Sequence, residues 1–493
     1  MIARGLFPLV LSGLKRGAFA ALLLLLLPTP SHAQVSPSQY TTATRYDLLG
    51  RVTGVIGGDA DGAGPLGRVS ERRSYDVDGR LVRVETGVLA GWQDEGVAPA
   101  AWSGFSVLSV ADSVYDVGGR KVRARVSAGG VVLSQVEYRY DALDRVVCSA
   151  QRMNPAVYAS APVDACTLGP AGSFGADRIT RTLYDGAGRV TAVQKAVGTA
   201  LQQDYVRYGY SGNGQRARVI DANNNLTTYS YDALDRLART TFPSKTAVGQ
   251  TSAADYEAYE YDAGGNRTSV RKRDGSVLTY SYDALNRVSV KVVPERVGLS
   301  VYHTRDVYYG YDNRGLQLYA RFGSISGEGV ANSYDALGRT VSQWVVQGGL
   351  NKTLTYGYDA NGNRTRLSYP DGQAFDYGYN GTDQIERVTN GANTYVARFF
   401  DGYGRVSVVG WAPGNRNDYG YDALSRLTVQ SSDLIGTAGD VLRTFSYTPA
   451  SQIAARSTDN DAYAFGGNVN VSRPYVANGL NQYTSAGPAT FTR

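Results

Sequence analysis

Aromatic residues alternate with other side chains along most of the chain, and pairs of tyrosines two residues apart recur before short polar segments. Because successive side chains of a β-strand point to opposite faces, each pair places both rings on one face of a strand. Valine-rich runs such as residues 405–409 resume a β pattern after the polar segment. The pairs that predict strands are Tyr208/Tyr210, Tyr229/Tyr231, Tyr259/Tyr261, Tyr280/Tyr282, Tyr356/Tyr358, Tyr377/Tyr379 and Tyr419/Tyr421.

A short motif joins these strands: an aromatic residue, Asp, two variable residues, Gly, Arg and an apolar residue. Its shortest spacing, 21 residues, separates Tyr358 from Tyr379. Four residues after the leading aromatic stands Gly in ten copies and Asp, Asn or Ser in six, and these types tolerate positive φ or satisfy turn backbone groups. Each copy is therefore predicted to be a β-hairpin. The leading aromatics of the sixteen copies are at positions 46, 75, 115, 140, 184, 210, 231, 261, 282, 311, 334, 358, 379, 400, 421 and 447.

The residues that recur in the motif are interpreted as structural and not catalytic. Its Asp is expected to accept hydrogen bonds from turn amides. Its Arg can reach that carboxylate, a carboxylate of the neighbouring copy or the face of a tyrosine. Representative copies comprise Tyr46, Asp47, Gly50 and Arg51; Tyr184, Asp185, Gly188 and Arg189; Tyr334, Asp335, Gly338 and Arg339; and Tyr421, Asp422 and Arg426.

An isolated hairpin cannot bury its own aromatic rings, so the copies must gain stability by stacking on their neighbours. The sequence therefore predicts an all-β array of tandem hairpins, with insertions that emerge from one edge. Beyond about Ala454 the pattern is lost, and we expect an irregular tail. The candidate insertions are Gly87–Val110, Ala150–Arg178, Thr241–Ala254, Val292–Asp306 and Ser431–Val441.

The motif, with its variant at residues 358–364, resembles the YD repeat of Rhs proteins, insecticidal toxin-complex C components and teneurins. The resemblance covers about residues 40–455, and residues 478–484 resemble a segment just before the core of bacterial Rhs proteins. It implies a spiral β-sheet that winds into an open or partial hollow shell, which in the family encloses a toxic effector released by a self-cleaving core. No position matches the self-cleavage residues. We expect an effector, or the missing part of the shell, to be encoded nearby, because Arg493 falls where the next copy would begin.

The N-terminus has the pattern of a secretory signal peptide. Arg4, Lys15 and Arg16 precede the apolar run 18–27, and residues 31–33 offer a cleavage site. The run is shorter than the ~20 residues that span a bilayer, so no stable membrane span is expected, although an uncleaved anchor is the alternative. We predict a signal peptide at residues 1–33, the array at 34–455 and the tail at 456–493, in a protein that is secreted or held at the cell surface or in the periplasm.

Cys148 and Cys166, the two cysteines of the chain, stand in the inserted segment between the copies that begin at Tyr140 and Tyr184. In an oxidising compartment they are expected to form a disulfide, whereas a metal or redox role is less favoured. The formal net charge of +6 includes three positive residues of the predicted signal peptide. The one tight basic cluster, residues 271–273, is interpreted as a solvated strand end, and no nucleic-acid partner is expected.

Candidate catalytic chemistry is sparse. His303 is the one histidine outside the predicted signal peptide, which argues against a multi-histidine metal site and a Ser/His/Asp triad. No cofactor or metal site is indicated. The sequence predicts a non-enzymatic shell protein that acts in effector encapsulation or interbacterial competition. A cell-surface module that binds glycans or proteins is the alternative, and a carbohydrate-active enzyme with paired aspartates is a weaker third hypothesis.

Overall fold

A computed structural model describes residues 38–62, 64–460, 473–478, 480 and 482–491. The predicted signal peptide lies outside these residues. The described residues form β-strands and four short 3-10 helices, at Pro99–Ala101, Pro155–Ser160, Val301–His303 and Thr437–Gly439. The all-β prediction is confirmed.

Thirty-five strands occur in the described residues. The first eighteen are β1 (Ala43–Tyr46), β2 (Val52–Asp59), β3 (Arg68–Tyr75), β4 (Leu81–Leu89), β5 (Phe105–Tyr115), β6 (Lys121–Ala128), β7 (Val131–Tyr140), β8 (Val146–Gln151), β9 (Arg178–Tyr184), β10 (Val190–Lys195), β11 (Gln203–Tyr210), β12 (Arg216–Asp221), β13 (Leu226–Tyr231), β14 (Leu237–Pro243), β15 (Thr251–Tyr261), β16 (Arg267–Arg271), β17 (Val277–Tyr282) and β18 (Val288–Val292). The others are β19 (Val307–Tyr311), β20 (Gln317–Phe322), β21 (Gly329–Tyr334), β22 (Thr340–Gln347), β23 (Leu350–Tyr358), β24 (Arg364–Ser368), β25 (Ala374–Tyr379), β26 (Ile385–Asn390), β27 (Asn393–Phe400), β28 (Val406–Trp411), β29 (Asn415–Tyr421), β30 (Leu427–Asp433), β31 (Val441–Tyr447), β32 (Ile453–Thr458), β33 (Arg473–Ala477), β34 (Tyr483–Ala486) and β35 (Ala489–Thr490).

Each strand pairs antiparallel with the next strand along the chain, so the strands form one continuous meander. Within the described residues, β1 pairs only with β2 and β35 only with β34. The sheet is therefore open, with two edge strands that have not closed on each other.

The two rims of the sheet, where strands end, differ in character. Because the chain runs up one strand and down the next, all sixteen motif turns lie on one rim, which we call the motif rim. The opposite rim, the insertion rim, carries the connections between hairpins, including residues 90–104, 152–177, 244–250, 293–306 and 434–440. These loops fall inside the predicted insertions but are shorter, because strand pairing extends into the predicted loops; β5, for example, already begins at Phe105.

A single sheet has no second layer to cover it, so few apolar side chains are buried. Those that are buried lie mainly in two clusters beneath insertions. One cluster, between the sheet and residues 90–104, contains Ile56, Leu89 and Trp102. The other, between the sheet and residues 152–177, contains Cys148, Ala150, Ala165, Ile179 and Val197.

Strand pairing continues past residue 455, where the array was predicted to end. Asn478 takes the Asp position of a further motif-like turn between β33 and β34. Its amide donates to the Gln482 carbonyl at 2.8 Å, and its side chain accepts from the amides of Leu480 and Gln482 at 2.9 and 3.1 Å. The tail expected to be irregular therefore contains a hairpin, because Asn and Gln supply the hydrogen bonds that Asp and Arg supply elsewhere.

Contacts between distant strands show that the sheet coils back on itself. The Gly381 amide, in the turn after β25, donates to the Ala60 carbonyl just after β2 at 3.2 Å. Farther along, the Arg178 guanidinium at the start of β9 donates to the Gln452 side chain before β32. In both contacts the insertion rim of an early strand meets the motif rim of a strand about 23 positions later. We call these two contacts the coil seam.

Candidate functional site

The motif turn has one geometry throughout the sheet, and the copy at Tyr334 illustrates it. The Asp335 carboxylate accepts from the amides of Leu337 and Arg339, both at 2.9 Å, and from the Arg339 Nε at 2.7 Å. The Asp335 amide donates to the Arg339 carbonyl at 3.0 Å, and the strand pairing shifts register at Tyr334. Gly338 has a φ of 81°. A β-turn closed by a bulge with a left-handed residue fits this pattern.

The left-handed position explains the residue types at the fourth place after the aromatic. All sixteen copies have positive φ there, whether the residue is Gly, Asp, Asn or Ser. The non-glycine members have φ of 58° to 60° and are Asp144, Asp235, Asn286, Asp383, Ser425 and Ser451. The predicted turn is therefore present in every copy.

Tyrosine hydroxyls tie each hairpin to the preceding one. In fourteen copies the leading Tyr donates to the backbone carbonyl just after the Arg position of the preceding copy, at 2.5 to 3.0 Å. The two copies without this bond begin with Tyr46, which is the first, and Phe400, which has no hydroxyl. The rings are half-buried along the array, whereas Tyr46 is exposed.

The motif Arg acts on two copies at once. Arg339 also donates to the carbonyl of Asp359 in the next copy at 2.9 Å, and its guanidinium lies 4.8 Å from the ring centre of Tyr358. Ten copies share this stacking, at 4.4 to 5.4 Å: Arg51/Tyr75, Arg80/Tyr115, Arg120/Tyr140, Arg145/Tyr184, Arg189/Tyr210, Arg236/Tyr261, Arg287/Tyr311, Arg339/Tyr358, Arg405/Tyr421 and Arg426/Tyr447. The motif rim thus carries a ladder of ion pairs, hydrogen bonds and cation–π contacts, in which the cation–π contact is missing where the Arg position holds Gln, Asn or Leu.

The pKa values of the motif Asp335 and of the leading Tyr358 are shifted so that the carboxyl stays ionised and the hydroxyl stays protonated, as the hydrogen bonds of the ladder require. The Arg339 amide and guanidinium hold the pKa of the Asp335 carboxyl below its usual value, against an opposing effect of desolvation. Burial raises the pKa of Tyr358, so its hydroxyl remains a donor. Both oxygens of Asp335 are engaged within the turn, which leaves this carboxylate poorly placed to act on a substrate.

The coil seam is tightly packed at Gly381. A Cβ at this position would lie 1.9 Å from the Asp59 carbonyl oxygen and 3.0 Å from the Gln39 Cβ. The Asp59 amide donates to the Gln39 carbonyl at 2.7 Å, so the segment before β1 is part of the same contact. At the second seam contact, burial lowers the pKa of Arg178.

The insertion at 152–177 is organised by a disulfide and a buried arginine. Cys148 and Cys166 are bonded, with their Cα atoms 5.3 Å apart. The Arg152 side chain is 2% exposed and pairs with Glu137 at 2.6 Å and Asp177 at 2.7 Å. Burial, followed by the charge of Asp177, raises the pKa of Tyr158 to about 12. Every charge in this cluster is paired, so loss of any one partner would leave an uncompensated buried charge.

Two arginines hold insertions against the sheet and were not among the predicted site residues. Arg45 donates to the Gln93 carbonyl at 2.7 Å, and Arg139 donates to the Asp164 carboxylate at 2.7 Å. Both stand just before a leading aromatic, where ten of the sixteen copies have Gly or Ser. Six copies have a larger residue at this position, and an arginine there, found only at Arg45 and Arg139, is the sequence signal that distinguishes these two.

The other predicted candidates occupy structural or solvent-exposed positions. Lys272 pairs with Glu257 and Arg273 with Asp255, both at 2.5 Å, so the basic cluster is engaged with neighbouring carboxylates. His303 lies exposed at the end of a 3-10 helix. In the part of the chain that the structure describes, no three His, Cys, Asp or Glu residues come together as a metal site would require. None of the described helices is long and apolar enough to cross a membrane.

Comparison with known proteins identifies the repeat. The family model of the RHS Repeat matches residues 210–247, 261–295 and 334–374, and each match begins at a leading aromatic. The fold matches the crystal structure of TcdB2-TccC3-TEV with a TM-score of 0.56 and 12% identity, over 88% of this chain and 24% of that one. The crystal structure of TcdB2-TccC3-Cdc42 matches with a TM-score of 0.46 and 12% identity, over 87% of this chain and 27% of that one.

These comparisons also have clear bounds. The chain spans about a quarter of the length of the solved structures it matches. Comparison with curated protein sequences gives no match. At 12% identity the structural likeness shows a shared fold, and the repeat itself is identified by the family model. The chain therefore contains Rhs/YD repeats at residues 210–247, 261–295 and 334–374, and the same turn geometry recurs through the rest of the described sheet.

Proposed function

We propose that this chain is a non-enzymatic wall segment of an exported shell that encloses a toxin or another effector polypeptide. The coil seam carries the proposal, because a single-layer sheet whose rims meet again after about 23 strands surrounds a space. At ~4.8 Å between strands, such a turn has a perimeter of roughly 110 Å, or about 35 Å across. A space of that width accommodates a polypeptide in a compact or extended state.

The chemistry of the array supports a passive wall over an enzyme. The motif aspartates are its most repeated acidic groups, and in copies such as Asp335 both carboxylate oxygens are engaged by the turn. General acid–base work requires a carboxyl that can exchange a proton with a substrate. The family resemblance and the fold shared with TcdB2-TccC3-TEV support a toxin or effector as the cargo.

Protection from protease tests enclosure directly. The chain is co-expressed with the polypeptide encoded next to it, and the complex is treated with a protease that cleaves the free polypeptide. We expect the neighbouring polypeptide to survive in the co-expressed complex and to be digested when the two proteins are mixed after folding. Digestion at equal rates in both preparations would refute enclosure.

Export is tested separately, because the predicted signal lies outside the described residues. Residues 1–40 are fused to a reporter that is active only after export, and the N-terminus of the exported full-length chain is determined by mass spectrometry. We expect export and a mature chain that begins at Gln34. A reporter that remains in the cytoplasm would contradict this part of the proposal.

A glycan-binding role is the second candidate, and one cavity favours it. A cavity of about 410 Å³ on the insertion rim is lined by Trp411, Asn417, Ser432 and Arg443, among others. An indole suits stacking on a sugar ring, and amide, hydroxyl and guanidinium groups suit its hydroxyls. A glycan array with wild-type protein and Trp411→Ala tests this role. Binding that the substitution abolishes supports it, and binding to no glycan at high protein concentration removes it.

A further inference from the structure

The strongest unassigned site lies at the first hairpins, where the insertion 90–104 overhangs β1 to β4. A cavity of about 650 Å³ opens there. Its charged walls include Arg45, Arg72, Arg83 and Glu95, and its apolar walls include Val97 and Pro99. The question is which of these charges is left to meet a ligand.

Most of the arginines around the cavity are already neutralised within the sheet. Arg72 pairs with Glu85 at 2.8 Å, and Arg83 pairs with Asp112 at 2.7 Å. Arg73, which also lines the cavity, pairs with Glu71 at 2.7 Å. These guanidinium groups help to shape the cavity but do not require an added anion.

Arg45 differs from them in burial and in partners. The residue is 8% exposed and has no carboxylate within ion-pair distance among the described residues. One Nη donates to the Gln93 carbonyl at 2.7 Å, whereas the buried Nε has no hydrogen-bond partner in the described part of the chain. A buried cation with an unsatisfied donor is unfavourable unless an anion or an acceptor reaches it. Arg45 lines the cavity, so an anion bound there lies beside its guanidinium, although the Nε atom itself is closed to solvent.

We propose that this cavity binds a small carboxylate with an apolar body. The carboxylate pairs with the Arg45 guanidinium, and the apolar body lies against Val97, Pro99 and the exposed ring of Tyr46. The volume supports an organic ligand over an inorganic ion, because it exceeds what one oxyanion fills. The site is independent of the proposed enclosure, since it needs neither a cargo nor a closed shell.

Glu95 offers a test that leaves the fold intact. It is exposed, it lines the cavity, and no hydrogen bond or ion pair of its side chain occurs among the described residues. Its charge opposes a bound carboxylate. Glu95→Gln should therefore strengthen binding of a carboxylate and leave binding of a neutral analogue unchanged.

The experiment uses calorimetric titration of the full chain with benzoate and with benzamide, its neutral analogue, at fixed ionic strength. We expect benzoate to bind more tightly than benzamide by about tenfold, the equivalent of about 1.4 kcal/mol. Arg45→Met should weaken benzoate about tenfold and leave benzamide unchanged. Arg139→Met, which removes the arginine at the same motif position under the other insertion, is the matched control and should bind benzoate as the wild type does.

Three results would overturn the proposal. They are equal affinity for benzoate and benzamide, wild-type benzoate affinity in Arg45→Met, and absence of benzoate binding at millimolar concentration. If Arg45→Met fails to fold, Glu95→Gln decides alone, because unchanged or weaker benzoate binding in that variant contradicts a carboxylate beside Arg45.

Discussion

Replacing Gly381 with alanine is expected to open the coil seam without disturbing the local hairpin. Gly381 stands two residues after the leading aromatic of its copy. Its φ is not left-handed, so alanine is compatible with the backbone. The new methyl group, however, would lie 1.9 Å from the Asp59 carbonyl oxygen on the neighbouring turn of the coil.

The size of the effect follows from that distance. Ordinary contacts of a Cβ begin at 3.4 Å, so the two rims must separate by about 1.5 Å. The hydrogen bond from the Gly381 amide to the Ala60 carbonyl, now 3.2 Å long, is then lost. Overpacking costs about 1–3 kcal/mol and a lost hydrogen bond about 1 kcal/mol. A net local cost of about 2 kcal/mol increases the opening of the seam about 30-fold.

Hydrogen exchange measured by mass spectrometry reports this opening segment by segment. Peptides that cover residues 55–62 and 376–384 should exchange about 30-fold faster in Gly381→Ala than in the wild type. Peptides from β13 and β14, which lie far from the seam in sequence, should be unchanged. The matched control is Gly402→Ala, because Gly402 occupies the same place in the next copy and an added Cβ there meets nothing within 4 Å.

Two outcomes would refute the reasoning. Equal exchange in Gly381→Ala and Gly402→Ala would mean that the rims are not in contact at this point. Faster exchange throughout the sheet would mean that Gly381 supports the hairpin itself and not the seam. If the coil seam closes the wall of a shell, Gly381→Ala should also expose an enclosed polypeptide to protease, whereas Gly402→Ala should not.

Three further predictions address the ladder and the disulfide-linked insertion at residues 152–177. Tyr261→Phe removes the hydroxyl that donates to the preceding copy and should lower the free energy of unfolding by about 1 kcal/mol in urea titrations. Tyr46 has no preceding copy to bond to, so Tyr46→Phe is the control and should change the free energy of unfolding by less than about 0.5 kcal/mol. The folded state holds the pKa of turn aspartates such as Asp232 below the usual 3.8, so their stabilisation is full above that pH and is lost as the pH falls through their folded pKa; thermal scans that show no decline in Tm below pH 3.8 would contradict this. Cys166→Ser opens a loop of 18 residues and should destabilise the insertion by roughly 3 kcal/mol, measured as faster proteolysis within residues 152–177; proteolysis at the wild-type rate would show that Arg152 suffices to hold it.

The hairpin and its turn could be predicted from the sequence because their determinants lie within a few residues of each other. Asp335, Gly338 and Arg339 meet inside one turn, so their spacing alone specifies the hydrogen bonds. The same reasoning extends to Asn478 and Gln482, once Asn and Gln are accepted in place of Asp and Arg. From the sequence, the contact partner of the motif Arg could be narrowed only to three candidates. The structure shows that this Arg pairs with the carboxylate of its own copy and stacks on the leading tyrosine of the next copy.

The coil seam and the buried arginines depended on tertiary structure. Gly381 meets Asp59, and Arg178 meets Gln452, only because the coil returns after about 23 strands. The number of strands in one turn of the coil depends on the twist and curvature summed over all of those strands. No short segment of sequence therefore determines it. Arginine usually lies at the protein surface, and Arg152 becomes buried only because its insertion folds back onto the sheet. The sequence by itself determined the repeating hairpin, since its turn is closed by neighbours along the chain; the tertiary structure decided which distant rims and charges meet, since those distances depend on every strand between them.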